Sequence, residues 1–151
     1  MKTRMLVSIV ILVLAVLSVA EGSDTEKKVT KRDYRFFSGT WINEEYDSRA
    51  FVAKFIIYRD GTFDAYNRLS DTGKNSIGYY EIVEKWIDSE DNIWYKMHVW
   101  WGVKVEGEPG SYKLDKFSNS GKVWEHVEIS GDFPTEMDEN HTQYHIYYRQ
   151  E

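Results

Sequence analysis

The sequence contains no cysteine and only two prolines in 151 residues. Without thiols there is no disulfide framework, no thiolate metal site and no cysteine nucleophile, so the fold must rest on burial alone. Positive charge is also in short supply, with 19 Lys plus Arg against 25 Asp plus Glu and a formal net charge of −6. Nucleic-acid binding rests on clustered Lys and Arg that release counterions from phosphate, and this balance argues against it, as it does against an anionic membrane surface. Missing too are a G-x-S-x-G elbow, a glycine-rich phosphate loop and an H-E-x-x-H helix. The expectation is therefore a non-enzymatic protein with no cofactor, no metal and no assigned catalytic residue.

What is present begins with an address. Met1-Lys2-Thr3-Arg4 leads into an apolar stretch from Met5 to Val19 that ends in Ser18-Val19-Ala20 before Glu21. Charged start, apolar middle and small-residue end are the parts of a secretory signal peptide, and a run of about 15 residues is shorter than the roughly 20 that span a bilayer. Residues 1–20 are thus expected to be removed, giving a secreted or periplasmic protein with no membrane span. The absence of cysteine fits a bacterial source, whereas the Asn140-His141-Thr142 sequon would matter only in a eukaryotic secretory route. Residues 21–33 are almost wholly polar and read as a flexible leader, with the folded domain over 34–151.

Beyond Gly39 no 3.6-residue period is sustained, and the apolar residues fall in short runs of Val, Ile, Tyr, Phe and Trp between turn clusters. The pattern is all-β. Eight strands are expected, at about 39–46, 51–59, 62–69, 77–87, 93–102, 111–118, 122–130 and 141–149. From the third connection onward, longer loops alternate with tight hairpins, which predicts an antiparallel up-and-down barrel with a closed floor and an open mouth.

The turn at Asp60-Gly61 carries register information. A two-residue turn would put Ile57, Phe55, Ala53 and Phe51 on one face with Thr62, Asp64, Tyr66 and Arg68. A three-residue loop, Arg59-Asp60-Gly61, instead pairs Ile57 with Phe63 and collects an almost wholly apolar face that also holds Phe51, Phe55, Ala65, Asn67 and Leu69. This second register is the one expected. In the fifth strand the row Ile93, Tyr95, Met97, Val99 and Trp101 should point inward. Around Asn119-Ser120-Gly121 the pattern does not decide, because Phe117, Val123, Val127 and Ile129 share a face with Lys113, Asp115 and Glu125, while Tyr112, Leu114 and Trp124 compete from the other.

Phe37-Ser38-Gly39-Thr40-Trp41 resembles the F-x-G-x-W signature that opens lipocalins, and Arg149 in the last strand resembles its usual partner. The resemblance implies an eight-stranded, lipocalin-like (calycin) barrel with Trp41 plugging the closed end and Arg149 across its indole. A guanidinium over an indole face gains roughly 0.5–2 kcal/mol. The chain departs from the family in stopping at Glu151, where lipocalins continue into a helix, and in lacking a second motif at the third long connection. Gly39-Thr40-Trp41-Ile42-Asn43 also resembles the opening of avidins, without their downstream polar constellation.

The expected function is binding of a small, mainly apolar molecule in the barrel. Phe51, Phe55, Leu69, Tyr95, Met97 and Trp101 would form its wall, and Asn43, Glu45 or Asn67 would orient a polar head. The alternative is a secreted protein-interaction or inhibitor domain whose barrel is packed solid. The four histidines, His98, His126, His141 and His145, read as solvated or hydrogen-bonded. The acids Glu44, Glu45, Glu81, Glu84, Asp115, Glu125 and Glu128 read as the wet face of strands. Trp100 is expected to lie beneath the loop that follows it, from Val103 to Gly110.

Overall fold

The computed structural model describes residues 27–43, 52–108 and 110–151. The expected signal peptide, residues 21–26 of the leader, Glu44, Glu45 and Phe51 lie outside them. A short helix α1 (Lys31–Phe37) precedes eight antiparallel strands: β1 (Gly39–Ile42), β2 (Lys54–Ile57), β3 (Thr62–Tyr66), β4 (Ser76–Ile87), β5 (Ile93–Trp101), β6 (Ser111–Phe117), β7 (Val123–Ile129) and β8 (Tyr144–Gln150). They form a closed up-and-down barrel in sequence order. β1 seals against β8 with Trp41 opposite Arg149.

The β2–β3 hairpin takes the three-residue register. Ile57 pairs with Phe63 and Phe55 with Ala65, while Gly61 adopts φ 87°, where a side chain would be strained. Phe55, Ile57, Phe63 and Ala65 are buried, as the apolar pattern requires. β4 contains a bulge between Ile82 and Glu84 that shifts its inward set, so that Lys85 rather than Glu84 faces Tyr95.

The leader expectation needs correction over 27–33. Thr30 caps α1 in a reciprocal box with Asp33, whose carboxylate accepts from the Thr30 backbone and hydroxyl at 2.8 and 2.9 Å. Asp33 is buried, paired with Lys85 and held by the Tyr95 hydroxyl at 3.0 Å. Burial opposes its ionisation, but the hydrogen bonds from Lys85, Thr30 and Tyr95 outweigh that and hold the carboxyl below its ordinary range. Polar composition in this stretch therefore marks a cap and an ion pair.

α1 closes the floor. Phe37 sits edge-on to Tyr80, Phe117 and Trp124 at 5.0–5.3 Å between centroids. Trp41 is fully buried and donates its indole N–H to the Phe37 carbonyl at 2.9 Å. Arg149 lies 4.5 Å from the Trp41 ring and donates to the carbonyls of Gly121 (3.0 Å), Ser38 (3.2 Å) and Phe36. Above this floor Tyr95, Met97, Val99, Phe55 and Phe63 fill the centre, leaving a void of only about 10 Å³.

Candidate functional site

Two concavities are lined by several aromatic side chains, one at the mouth and one on the outer wall. At the open end, where the longer connections gather, a cleft of about 400 Å³ lies over the packed centre. Its apolar surface comes from Val52, Phe55 of β2, Trp101 at the end of β5 and Tyr147 of β8. Its polar groups are His126 and Glu128 of β7, His145 of β8, Gln143, and Asn67 and Ser76 at the near ends of β3 and β4.

The polar side of this cleft follows from how β6 and β7 pair. Phe117 stands opposite Trp124, Asp115 opposite His126 and Lys113 opposite Glu128. Because Phe117 and Trp124 both point into the core, strand alternation carries Lys113 and Asp115, His126 and Glu128 inward with them. Neither face left open by the sequence is selected whole. Leu114 and Val127 are also buried, on the other side of the sheet.

Inside, Lys113 Nζ lies 3.6 Å from Asp115 Oδ1 and 4.3 Å from the Trp124 ring, and the Trp124 indole donates to Asp115 at 2.6 Å. The second Asp115 oxygen and both ring nitrogens of His126 are buried with no hydrogen-bond partner. Burial raises the Asp115 carboxyl to about 6, against the opposing pull of Lys113 and the Trp124 N–H. Burial, with Lys113 adding to it, holds His126 well below its ordinary value and therefore neutral. Asp115 is thus not a wet-face acid, and His126 is neither solvated nor hydrogen-bonded within the protein, as the sequence pattern had suggested for both.

Glu128 at the rim accepts from the Trp101 indole at 2.9 Å and from the Ser111 hydroxyl. This bond pulls Trp101 across the mouth from β5 towards β7, with its ring edge-on to Phe63 at 5.0 Å and one side still 43% exposed. Among the described residues no three His, Asp or Glu side chains converge as a metal site requires.

The residues singled out from the sequence are dispersed by this geometry. Phe55, Asn67 and Trp101 line the mouth cleft. Tyr95 and Met97 are fully buried in the packed centre, below it. Leu69 is 47% exposed, because β3 ends at Tyr66 and the alternation that would turn it inward stops there. Asn43 is buried just beyond β1, where its backbone N–H donates to Ala53. The half of the cleft that sequence reasoning missed, His126, Glu128, His145 and Tyr147, lies on β7 and β8. The available signal was the pairing of Phe117 with Trp124, which alternation alone cannot choose.

The outer concavity, about 610 Å³, lies between β4, β5 and the β7–β8 connection. Trp86 and Trp94 stack there at 5.6 Å, with Phe133, Pro134 and Met137 opposite. Of its charged groups, Lys96 pairs with Glu84 at 2.6 Å, and Asp88 accepts from the Trp94 indole at 2.7 Å. Trp100 is buried, its indole N–H donating to the Glu108 carbonyl at 2.7 Å, so the following connection covers it.

No protein-family model matches the chain, and neither a curated protein nor a solved structure matches it. Fold and site together define it as a closed eight-stranded up-and-down barrel with a packed centre and an aromatic, polar-edged cleft at the mouth.

Proposed function

We propose that the protein is a secreted or periplasmic, lipocalin-like binding protein that takes a small, mainly apolar molecule at the mouth of its barrel. The observation that carries this is the 400 Å³ cleft in which Phe55, Trp101 and Tyr147 meet the unpartnered nitrogens of His126. Pockets of a few hundred Å³ with aromatic walls and a few convergent polar groups are the usual form of small-molecule sites. The geometry favours a ligand seated on the packed centre, with its apolar body against the three rings.

N-phenyl-1-naphthylamine, a neutral fluorescent probe, is expected to bind at one site and quench tryptophan emission through Trp101. Asn67 lines the cleft and is exposed, so Asn67→Trp adds bulk there without touching the core. It should weaken the probe at least about ten-fold, a loss of roughly 1.4 kcal/mol, at an unchanged unfolding midpoint. Unaltered probe binding in that variant would place the ligand elsewhere. Export is part of the same reading, and N-terminal sequencing of the exported protein should begin near Glu21.

The second reading, a protein-interaction domain, is favoured by the filled barrel centre and by the stacked Trp86 and Trp94 on the outer wall. It expects no probe at the mouth, and it expects Trp86→Ala to abolish capture of a protein partner.

A further inference from the structure

We propose that the mouth cleft selects a small organic cation, a protonated amine on an aromatic or aliphatic body, with Glu128 as its counter-ion and the His126 imidazole as a hydrogen-bond acceptor. The proposal rests on the mouth cleft being the ligand site and names the chemistry of what enters it.

The first argument is charge balance. The inward groups of β6 and β7 comprise one ammonium, Lys113, and two carboxylates, Asp115 and Glu128. Lys113 is spent on Asp115, 3.6 Å away, and the partners of Glu128 are neutral donors, the Trp101 indole and the Ser111 hydroxyl. His126 does not supply the missing charge, because burial and the nearby Lys113 keep its ring neutral. His145, whose ring is 5.5 Å from that of His126 on the neighbouring strand, also lines the cleft. Among the described residues the Glu128 carboxylate therefore meets neutral donors and no cation, and a monocationic ligand would supply one.

The second argument is hydrogen bonding. His126 is only 3% exposed, lines the cleft and has no partner at either nitrogen. A neutral imidazole carries a proton on one nitrogen only, so at least one lone pair lacks a donor. Buried polar atoms are ordinarily satisfied, and an N–H of an ammonium in the cleft is a donor of the required kind.

The third is the wall. Phe55, Trp101 and Tyr147 offer rings to a cation, and the barrel already makes such contacts, with Lys113 Nζ 4.3 Å from the Trp124 centroid and 5.7 Å from that of Phe55. An anionic headgroup in the same place would meet the Glu128 carboxylate in a partly desolvated site, which selects against carboxylic acids.

Calorimetric titration at about pH 8 with three probes of similar size tests this: phenethylamine, the neutral 2-phenylethanol and the anionic 3-phenylpropanoate. The amine should bind at least ten-fold more tightly than the alcohol, with the anion weakest. Glu128→Gln keeps an acceptor for Trp101 and Ser111 while removing the charge, so it should abolish the amine preference and leave alcohol affinity within about two-fold. An amine no better than the alcohol, a preferred anion, or an amine preference that survives Glu128→Gln overturns the proposal. If N-phenyl-1-naphthylamine still binds in that case, the small-molecule reading of the cleft stands and only its cation selectivity falls. If neither that probe nor any of the three binds, both fall together.

Discussion

Trp41→Ala is expected to destabilise the barrel by about 3–5 kcal/mol, the range for truncating a large buried aromatic. The indole is fully buried between Phe117 and Trp124, at 5.5 and 5.6 Å, and beneath the Arg149 guanidinium. Removing it empties the floor, strips the Phe37 carbonyl of its donor and leaves a half-buried cation without its aromatic face. Those losses act together, because the same guanidinium also ties β8 to the carbonyls of Phe36 and Ser38 and so holds α1 in place. Urea unfolding followed by far-ultraviolet circular dichroism checks the value, and a change below about 1 kcal/mol would contradict a plugged floor.

The second large effect concerns pH. Asp115 titrates near 6 in the folded barrel and near 3.9 unfolded, so its contribution to stability is fully present below about pH 4 and is lost as pH rises through 6. His126 works the other way: its folded value is depressed, so its contribution is present above about pH 6.5 and is lost as pH falls. Below about pH 6 the two groups therefore act in opposite directions as pH falls, the aspartate adding stability and the histidine removing it. The two slopes oppose each other.

Single substitutions should unmask them. Relative to the parent, Asp115→Asn should lose stability on acidification from pH 7 to 4, at about 1.4 kcal/mol per pH unit and about 3 kcal/mol in all. His126→Phe, which keeps a ring against Trp124 and Tyr147, should gain stability over the same interval. Urea unfolding across that range reads both. Variants that run parallel to the parent would show that neither group carries a shifted proton.

The strand number, the barrel closure and the floor were legible in the sequence for separable reasons. Eight short apolar runs between turn clusters can bury their faces only by pairing in order, and the choice of Arg59-Asp60-Gly61 as a three-residue loop followed from requiring Phe55, Ile57 and Phe63 on one face. Trp41 and Arg149 were legible through the resemblance of Phe37-Ser38-Gly39-Thr40-Trp41 to the F-x-G-x-W signature, and the β1–β8 pairing sets them opposite each other. The bulge after Ile82 was not, since one extra residue reverses the faces beyond it and nothing in the run Ile82-Val83-Glu84-Lys85 announces it.

The polar half of the cleft was hidden by a different physics. Alternation treats every charge as solvent-facing, but Lys113 and Asp115 compensate each other and Trp124 satisfies one carboxylate oxygen, so the inward placement costs far less than either charge alone. The Trp124 bond runs across the β6–β7 hairpin, and the Lys113–Asp115 pair within β6 has the same spacing as charges on a wet face. Likewise Asp33 looked like a solvated leader residue because two of its partners, Lys85 and Tyr95, lie 52 and 62 residues along the chain.

The most direct measurement is a ¹⁵N correlation spectrum of the protein titrated with N-phenyl-1-naphthylamine, since indole N–H resonances report separately from each tryptophan. The Trp101 N–H, held by Glu128 at the mouth, and the backbone amides of Asn67 and Gln143 should shift and saturate together at one equivalent, while the indoles of Trp86 and Trp94 on the outer wall stay in place. Shifts confined to Trp86 and Trp94, or no saturable shift at Trp101, would contradict a ligand site at the barrel mouth.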